Sequence, residues 1–463
     1  MKRRYEFDSI GCMDVPYDAY YGVHTLRAKR NFSITNRPLE TEFVKTLVEV
    51  KKAAAAANFQ AGDLPNAKHL AIMRACDYIL AGNLIEEFIV DAIQGGAGTS
   101  ANMNVNEVIA NKALEFIGYE KGRYDIIHPN DDVNMSQSTN DVIPTAGKIT
   151  AVKLLEKAKA ELQMLSDTLK QKSVEFQDVI KMGRTQLQDA VPISMGQVFH
   201  AYYSAVERDI TRFSKAQQEL CVVNIGGTAI GTSVNASEIY FHAIPDCIFQ
   251  TTGVRVSQAD DLIDATQNLD SFVYVSGIIK TCAVSLSKIC NDLRLLSSGP
   301  KTGLDELHLP SMQNGSSIMP GKINPVIPEV VSQVAFNIIG NDTTITMAAE
   351  AGQLELNAFE PVLLFKLFES ISTLEKAVNT LTRNCICDIT VNKQACRDLL
   401  ERSVGVVTAL CPQIGYNKAA ELAKKSLQTG KPIRNILLDE NILSKKKIDI
   451  LLNPVKLTHP LRR

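Results

Sequence analysis

The chain has 463 residues, of which 45% are hydrophobic and 22% charged, and its formal net charge is −2. A chain of this length exceeds one ordinary core and implies several regions sharing a large one. The near-neutral charge argues against a nucleic-acid binder, whose phosphate contacts need a basic surface, and no run approaches the ~18 apolar residues of a membrane span. Ten cysteines, among them Cys385-x-Cys387, lack paired CxxC spacing. They read as reduced, mostly buried thiols in a cytoplasm. Met1-Lys2-Arg3-Arg4 is followed by Tyr5-Glu6-Phe7-Asp8 instead of the apolar stretch of a signal peptide. A soluble, cytoplasmic protein is expected.

Residues 1–40 read as polar and irregular, with Tyr20–Ala28 as a packed turn. Glu42–Ala61 is alanine-rich and helical by propensity, and Asn83–Ile93 also reads as helix. In the stretch after it, Gly96-x-Gly98-x-x-Ala101 formally fits a relaxed dinucleotide fingerprint, with Glu115 near the acidic position. That fingerprint must follow a strand inside a βαβ unit, and no such alternation is visible. Gly95–Asn102 reads better as an anion-binding turn that opens a helix, with free N–H groups and the Thr99 hydroxyl facing a carboxylate. The block His128–Asp131 and then Asn134–Asp141 is a polar cluster running into a helix after Pro144. There, Asn134 or Ser136 could serve simply as a cap.

Long helices dominate the rest. Ile149, Val152, Leu155, Ala158, Leu162, Leu165 and Leu169 form one helical stripe. Leu364, Leu367, Ile371, Leu374, Val378 and Leu381 follow the 3,4 alternation of a bundle seam. Phe272–Ser298 is another long apolar helix, stopped at Gly299-Pro300. Val326–Ile339 is apolar nearly all round, as for a helix buried among neighbours. Lys181–Pro192 interrupts this pattern as a donor-rich loop. The last seventy residues are more polar, with short helices near Asn417–Leu427 and Ser444–Leu452. The expected fold is all-α, in three regions: an N-terminal mostly helical region (1–141), a central long-helix bundle (142–393) and a small C-terminal helical region (394–463). Seams so long and apolar exceed what one subunit covers, so a homo-oligomer follows.

Gly315-Ser316-Ser317-Ile318-Met319-Pro320-Gly321-Lys322-Ile323-Asn324-Pro325 concentrates two hydroxyls, two glycines, a lysine, an amide and two prolines. Its plainest reading is a surface loop ending at the helix start Asn324-Pro325. A Walker loop is excluded: five residues, not four, separate Gly315 from Gly321, and Ile323 follows the lysine. A loop closing over an anionic substrate also suits the mixture, since glycines free the backbone and prolines fix its ends.

This segment resembles the signature loop of the aspartase/fumarase superfamily, G-S-S-x-x-P-x-K-x-N-P, over the whole pattern. A first family block resembles the stretch that includes Gly96-Ala97-Gly98-Thr99-Ser100-Ala101-Asn102, and a second resembles the one with Ser138-Thr139-Asn140. Matching stretches run from Tyr20 to Pro460. The resemblance implies a lyase whose substrate contains or releases fumarate. It implies Ser316 as base, with Thr99, Ser138, Thr139, Asn140, Thr185, Gln186, Ser317, Lys322 and Asn324 as substrate contacts. It also implies a tetramer whose active sites draw on three subunits.

Within the superfamily, Val23-His24-Thr25-Leu26 and Met347–Asn357 follow the aspartase wording, and Gln186 stands where fumarases usually carry histidine. Glutamine offers a carbonyl to an ammonium group but does not titrate. The expected substrate pair is therefore L-aspartate and fumarate, with a fumarase or a catalytically silent scaffold as alternatives. His128–Asp131 resembles a second anion site of fumarases and is given no role here. The scattered histidines form no metal motif, and no organic cofactor is expected. Activation by a divalent ion is left open.

Overall fold

In the computed structural model, residues 2–453 and 457–458 are described. In chain order the elements are strands β1 (Arg3–Asp8) and β2 (Gly11–Pro16), then helices α1 (Val23–Asn31), α2 (Thr41–Ala61), α3 (Asn66–Leu80), α4 (Thr99–Phe116) and α5 (Thr139–Glu175). Strands β3 (Ile180–Thr185) and β4 (Gln188–Ser194) lead to α6 (Met195–Leu220), β5 (Val222–Val223), α7 (Glu238–Thr252), β6 (Ser257–Gln258), α8 (Leu262–Gln267) and α9 (Asp270–Leu296). Then follow β7 (Leu307–His308), α10 (Val326–Glu350), α11 (Glu360–Asn384), β8 (Thr390–Val391) and α12 (Lys393–Arg402). Four shorter helices close the chain: α13 (Cys411–Ile414), α14 (Tyr416–Thr429), α15 (Ile433–Asp439) and α16 (Lys445–Leu451). The architecture is all-α, and among the described residues every sheet has only two strands.

The apolar stripes explain the long helices. On α5, Ile149, Leu155, Ala158, Leu162, Leu165 and Leu169 are buried, and on α11 so are Leu364, Leu367, Ile371, Leu374, Val378 and Leu381. Glycines let neighbours approach closely: a Cβ at Gly147 would meet Leu364, and one at Gly98 would meet Ile143.

Two compact units are distinguishable: residues 1–159, 211–281 and 336–374 form the first, and 160–210, 282–335 and 375–463 the second. Each of the five long helices contributes turns to both. In the first unit, Glu107 of α4 is buried and accepts the N–H groups of Gly22, His24 and Thr25 and the Thr25 hydroxyl. With Glu6, which accepts the Val23 N–H, and Glu87, which accepts the Tyr20 N–H, it holds the Tyr20–Ala28 segment. In the second unit a small core of Leu410, Leu422, Ile433, Ile436, Leu437 and Ile448 holds the C-terminal helices.

Several expectations need correction. The N-terminal region is not irregular, since β1 and β2 form an antiparallel hairpin with Arg3 opposite Pro16. The donor-rich segment is likewise a hairpin, β3–β4, with an irregular register between Met182 and Arg184. Asn83–Ile93 contains only a single 3₁₀ turn at Ile85–Glu87. The helix expected after Pro144 begins five residues earlier, at Thr139. Proline frees the carbonyl four residues back, and here Asn224 Nδ2 donates to that carbonyl, Asn140 O, at 3.0 Å.

Two apolar helices also differ from expectation. Val326–Ile339 is not buried all round: Val330, Phe336 and Ile339 are exposed on the single chain. Asp270–Leu296 is long and apolar enough to cross a membrane by length and composition, yet 56% of its most apolar window is buried inside the protein. Its buried residues Phe272, Val275, Ile279, Cys282, Leu286, Ile289 and Leu293 recur at helical spacing, the pattern of a core helix.

Candidate active site

The polar wall of the first unit is built on two helix starts. Three successive left-handed residues, Gly96, Ala97 and Gly98, turn the chain into α4, which puts the Thr99 side chain on the surface at the helix N-terminus. The turn is partly self-satisfied: Thr99 N–H donates to Gly96 O, and Ala101 N–H to Gln94 Oε1. It thus offers fewer free N–H groups than expected. No strand leads directly into it, so the dinucleotide fingerprint is without its structural context.

The α5 start is a capping box. Ser138 Oγ accepts the Asn140 N–H at 3.2 Å, and Asp141 Oδ1 accepts the Ser138 N–H at 2.8 Å. The cap is therefore Ser138 itself, one of the residues expected to touch substrate, and not Asn134 or Ser136. Asn102 of α4 donates to the Thr139 hydroxyl at 3.2 Å and to Asn134 Oδ1 at 3.1 Å, which brings the two helix starts together. Asn140 Nδ2 donates to Ala229 O at 2.7 Å, so its amide is committed on one side.

Beneath this wall lie two charged groups that sequence reading missed. Lys51, fully buried on α2, donates to Asn134 Oδ1 at 2.6 Å and to Gln137 Oε1 at 3.0 Å. Burial pulls its ammonium down to about 7, against the opposing pull of Asp141. Burial likewise pushes Asp141 up to about 6, although it accepts N–H groups from Ser138, Thr228 and Gly226. Through those bonds Asp141 ties the glycine-rich turn Asn224–Gly231 to the α5 start. The cluster Gly226-Gly227-Thr228-Ala229-Ile230-Gly231 is the signal that could have revealed this turn.

In the second unit the signature loop is exposed along Ser317–Ile323 and tied together at its base. Gly315 N–H donates to Lys322 O at 3.0 Å, and Asn324 Nδ2 donates to Gly315 O at 2.8 Å. A Cβ on Gly315 would lie 2.2 Å from Lys322 O, so only glycine fits there. Ser316 Oγ accepts two backbone N–H groups, from Ile318 at 3.2 Å and Met319 at 3.1 Å. Ser317 and Lys322 are exposed. A cleft of about 530 Å³ runs beside the loop, lined by Lys322, Asn324, Asp305, His308 and Glu329.

Thr185 and Gln186 project from the exposed tip of β3–β4. Gln186 and Leu187 have φ of 53° and 62°, the left-handed pair of a tight hairpin turn usually filled by Asn-Gly. Among the described residues, no hydrogen bond joins this tip to the signature loop. His128 Nδ1 accepts the N–H groups of Asn130 and Asp131, an ordinary cap.

Known proteins resemble the chain along nearly its whole length. A family model described as lyase matches residues 11–340, and one described as fumarase C C-terminus matches 406–459. The aspartate ammonia-lyase of Helicobacter pylori is 51% identical over 459 residues, covering 99% of this chain and 98% of that protein. The aspartate ammonia-lyase of Bacillus subtilis is 49% identical over 457 residues, covering 99% and 96%. The chain belongs to the aspartase/fumarase superfamily of lyases. A solved fumarate lyase:delta crystallin from Brucella melitensis, bound to cobalt, superimposes on this lyase with a TM-score of 0.97 at 48% identity, covering 99% of this chain and all of that one. A class II fumarase from Schistosoma mansoni gives 0.96 at 34%, again covering 99% and 100%. Among the described residues this lyase has no cluster of three or more His, Cys, Asp or Glu suited to a metal ion.

Proposed function

We propose that this lyase converts L-aspartate reversibly to fumarate and ammonia, with Ser316 as the base. The observation that carries the base assignment is the pair of N–H groups on Ser316 Oγ. A serine hydroxyl is a poor base unless its alkoxide is stabilised, and the two backbone donors supply such stabilisation, with Lys322 of the same loop adding positive charge. The alkoxide takes the proton from the carbon beside one carboxylate. The electron pair left behind spreads into that carboxylate as a dianionic enediolate. Its collapse forms the C=C bond and breaks the C–N bond at the neighbouring carbon, releasing ammonia.

Stabilising the enediolate is the harder task, because the C–H is a very weak acid and each unit of mismatch costs about 1.4 kcal/mol. Preorganised donors on the charged carboxylate do this, and Thr99, Ser138, Thr139 and Ser317 are assigned to it. Lys322 and Asn324 take the other carboxylate. Asn140, Thr185 and Gln186 face the amino group and the remaining edge of the substrate. Closure of the Gly315–Pro325 loop excludes water and strengthens these contacts. The reaction as written uses no organic cofactor.

The working form is a homotetramer in the cytoplasm, with each active site assembled from three subunits. The exposed apolar residues Val330, Phe336, Ile339 and Met347 along α10 support assembly. The amino-acid substrate is favoured by Gln186 and by curated relatives near 50% identity that are aspartate ammonia-lyases, against 34% for the fumarase structure. Offering L-aspartate and then L-malate decides between them. Fumarate with equimolar ammonia from aspartate supports the proposal, whereas fumarate from malate alone refutes it.

A further inference from the structure

The hairpin that carries Thr185 and Gln186 is anchored by a residue outside every block of the proposed site. Glu306 is fully buried, and two cations of β3 converge on its carboxylate. Arg184 Nη1 donates to both carboxylate oxygens at 3.0 Å, and Lys181 Nζ lies 3.2 Å from Oε2. The Glu306 backbone is held as firmly: its N–H donates to Leu296 O at 2.9 Å, and its carbonyl accepts the Asn392 N–H at 3.1 Å. It therefore forms a post fixed by the end of α9 and the start of α12, with β3 tied to it by charge.

The hairpin needs such a post. Its tip holds Gln186 and Leu187 in left-handed conformations that non-glycine side chains adopt only when the surroundings hold them there. Its register is irregular beside Arg184, and a slip of one residue would turn Thr185 and Gln186 to opposite faces. Arg184 directly precedes Thr185, so fixing the guanidinium fixes the strand end from which both side chains project.

We propose that Glu306 is a positioning residue for the lyase reaction: through Arg184 it sets where Thr185 and Gln186 meet the substrate, without touching the substrate itself. This rests on the reading of Thr185 and Gln186 as substrate contacts. The test is steady-state kinetics on L-aspartate with intact purified Glu306→Gln, Arg184→Lys, Gln186→Ala and the double variant Glu306→Gln/Gln186→Ala. Glu306→Gln is expected to raise KM on the order of 10-fold while kcat changes less than about 3-fold. The double variant is expected to raise KM by less than the product of the two single effects, since coupled residues do not add.

A merely structural role would lower the folded fraction and thus the apparent kcat, leaving KM alone. Wild-type KM in Glu306→Gln, or additive effects in the double variant, would overturn the proposal while Gln186→Ala still raises KM. Unchanged KM in Gln186→Ala would instead overturn the substrate-contact reading and the proposal with it. Should Glu306→Gln fail to fold, Arg184→Lys decides. It keeps the charge but loses the planar donor geometry, so a raised KM supports the proposal and a wild-type KM overturns it.

Discussion

Lys322 shows how much of the proposed chemistry depends on one exposed charge set on a closed loop base. The backbone beneath it is pinned by Gly315 N–H and Asn324 Nδ2, so removing the ammonium leaves the loop's shape intact. A hydrogen bond to a charged group contributes about 1.5–3 kcal/mol, so Lys322→Ala should raise KM for L-aspartate roughly 10- to 100-fold. An unchanged KM would remove Lys322 from carboxylate binding. The loop itself was legible in sequence because its composition has no use in a core. The residues that hold the rest of the site were not. Glu306 is one isolated glutamate, and Lys51 and Asp141 reveal themselves only when the fold buries them.

At the scale of elements, periodicity was the readable signal. The stripes on α5 and α11 are buried where the spacing placed them, apart from the half-buried Val152, whereas both hairpins escaped notice. In β1 the exposed residues Tyr5 and Phe7 alternate with buried Glu6, inverting the usual apolar-in pattern. In β3–β4 the turn is Gln186-Leu187, without the Asn-Gly that announces a hairpin. That turn makes its own prediction. Leu187 is 72% exposed with φ of 62°, so Leu187→Gly should stabilise the protein by about 1 kcal/mol by relieving left-handed strain. Thermal unfolding of the variant checks this, and a lower transition temperature would contradict it. The α5 start was misplaced for a local reason too, because Asn224 satisfies the carbonyl that Pro144 leaves free.

For the whole molecule, assembly and buried charge govern behaviour. The apolar face of α10 is expected to be an interface, so light scattering should give a tetramer, and Phe336→Asp should lower the mass together with activity. A stable, fully active monomer would contradict the shared-site arrangement. Glu360 is 1% exposed, and neither carboxylate oxygen has a hydrogen-bond partner. Burial holds its carboxyl well above the ordinary range, with Lys148 pulling the other way. A raised folded-state value means the protonated group's contribution is fully present below ~4.5 and is lost as pH rises through the folded value. Glu360→Gln should therefore flatten the loss of stability that sets in as pH rises above ~4.5, with a gain in transition temperature over wild type that grows with pH. Parallel profiles for both proteins would exclude Glu360 as the cause.

The proposed reaction itself turns on whether Ser316 removes the proton. The most direct measurement compares wild type and Ser316→Ala for fumarate release from L-aspartate, with substrate affinity measured alongside by calorimetry. The expected result is loss of turnover by roughly 100- to 10,000-fold, the scale of general-base contributions, with affinity within a few-fold of wild type. Near-normal turnover in Ser316→Ala would contradict the proposal.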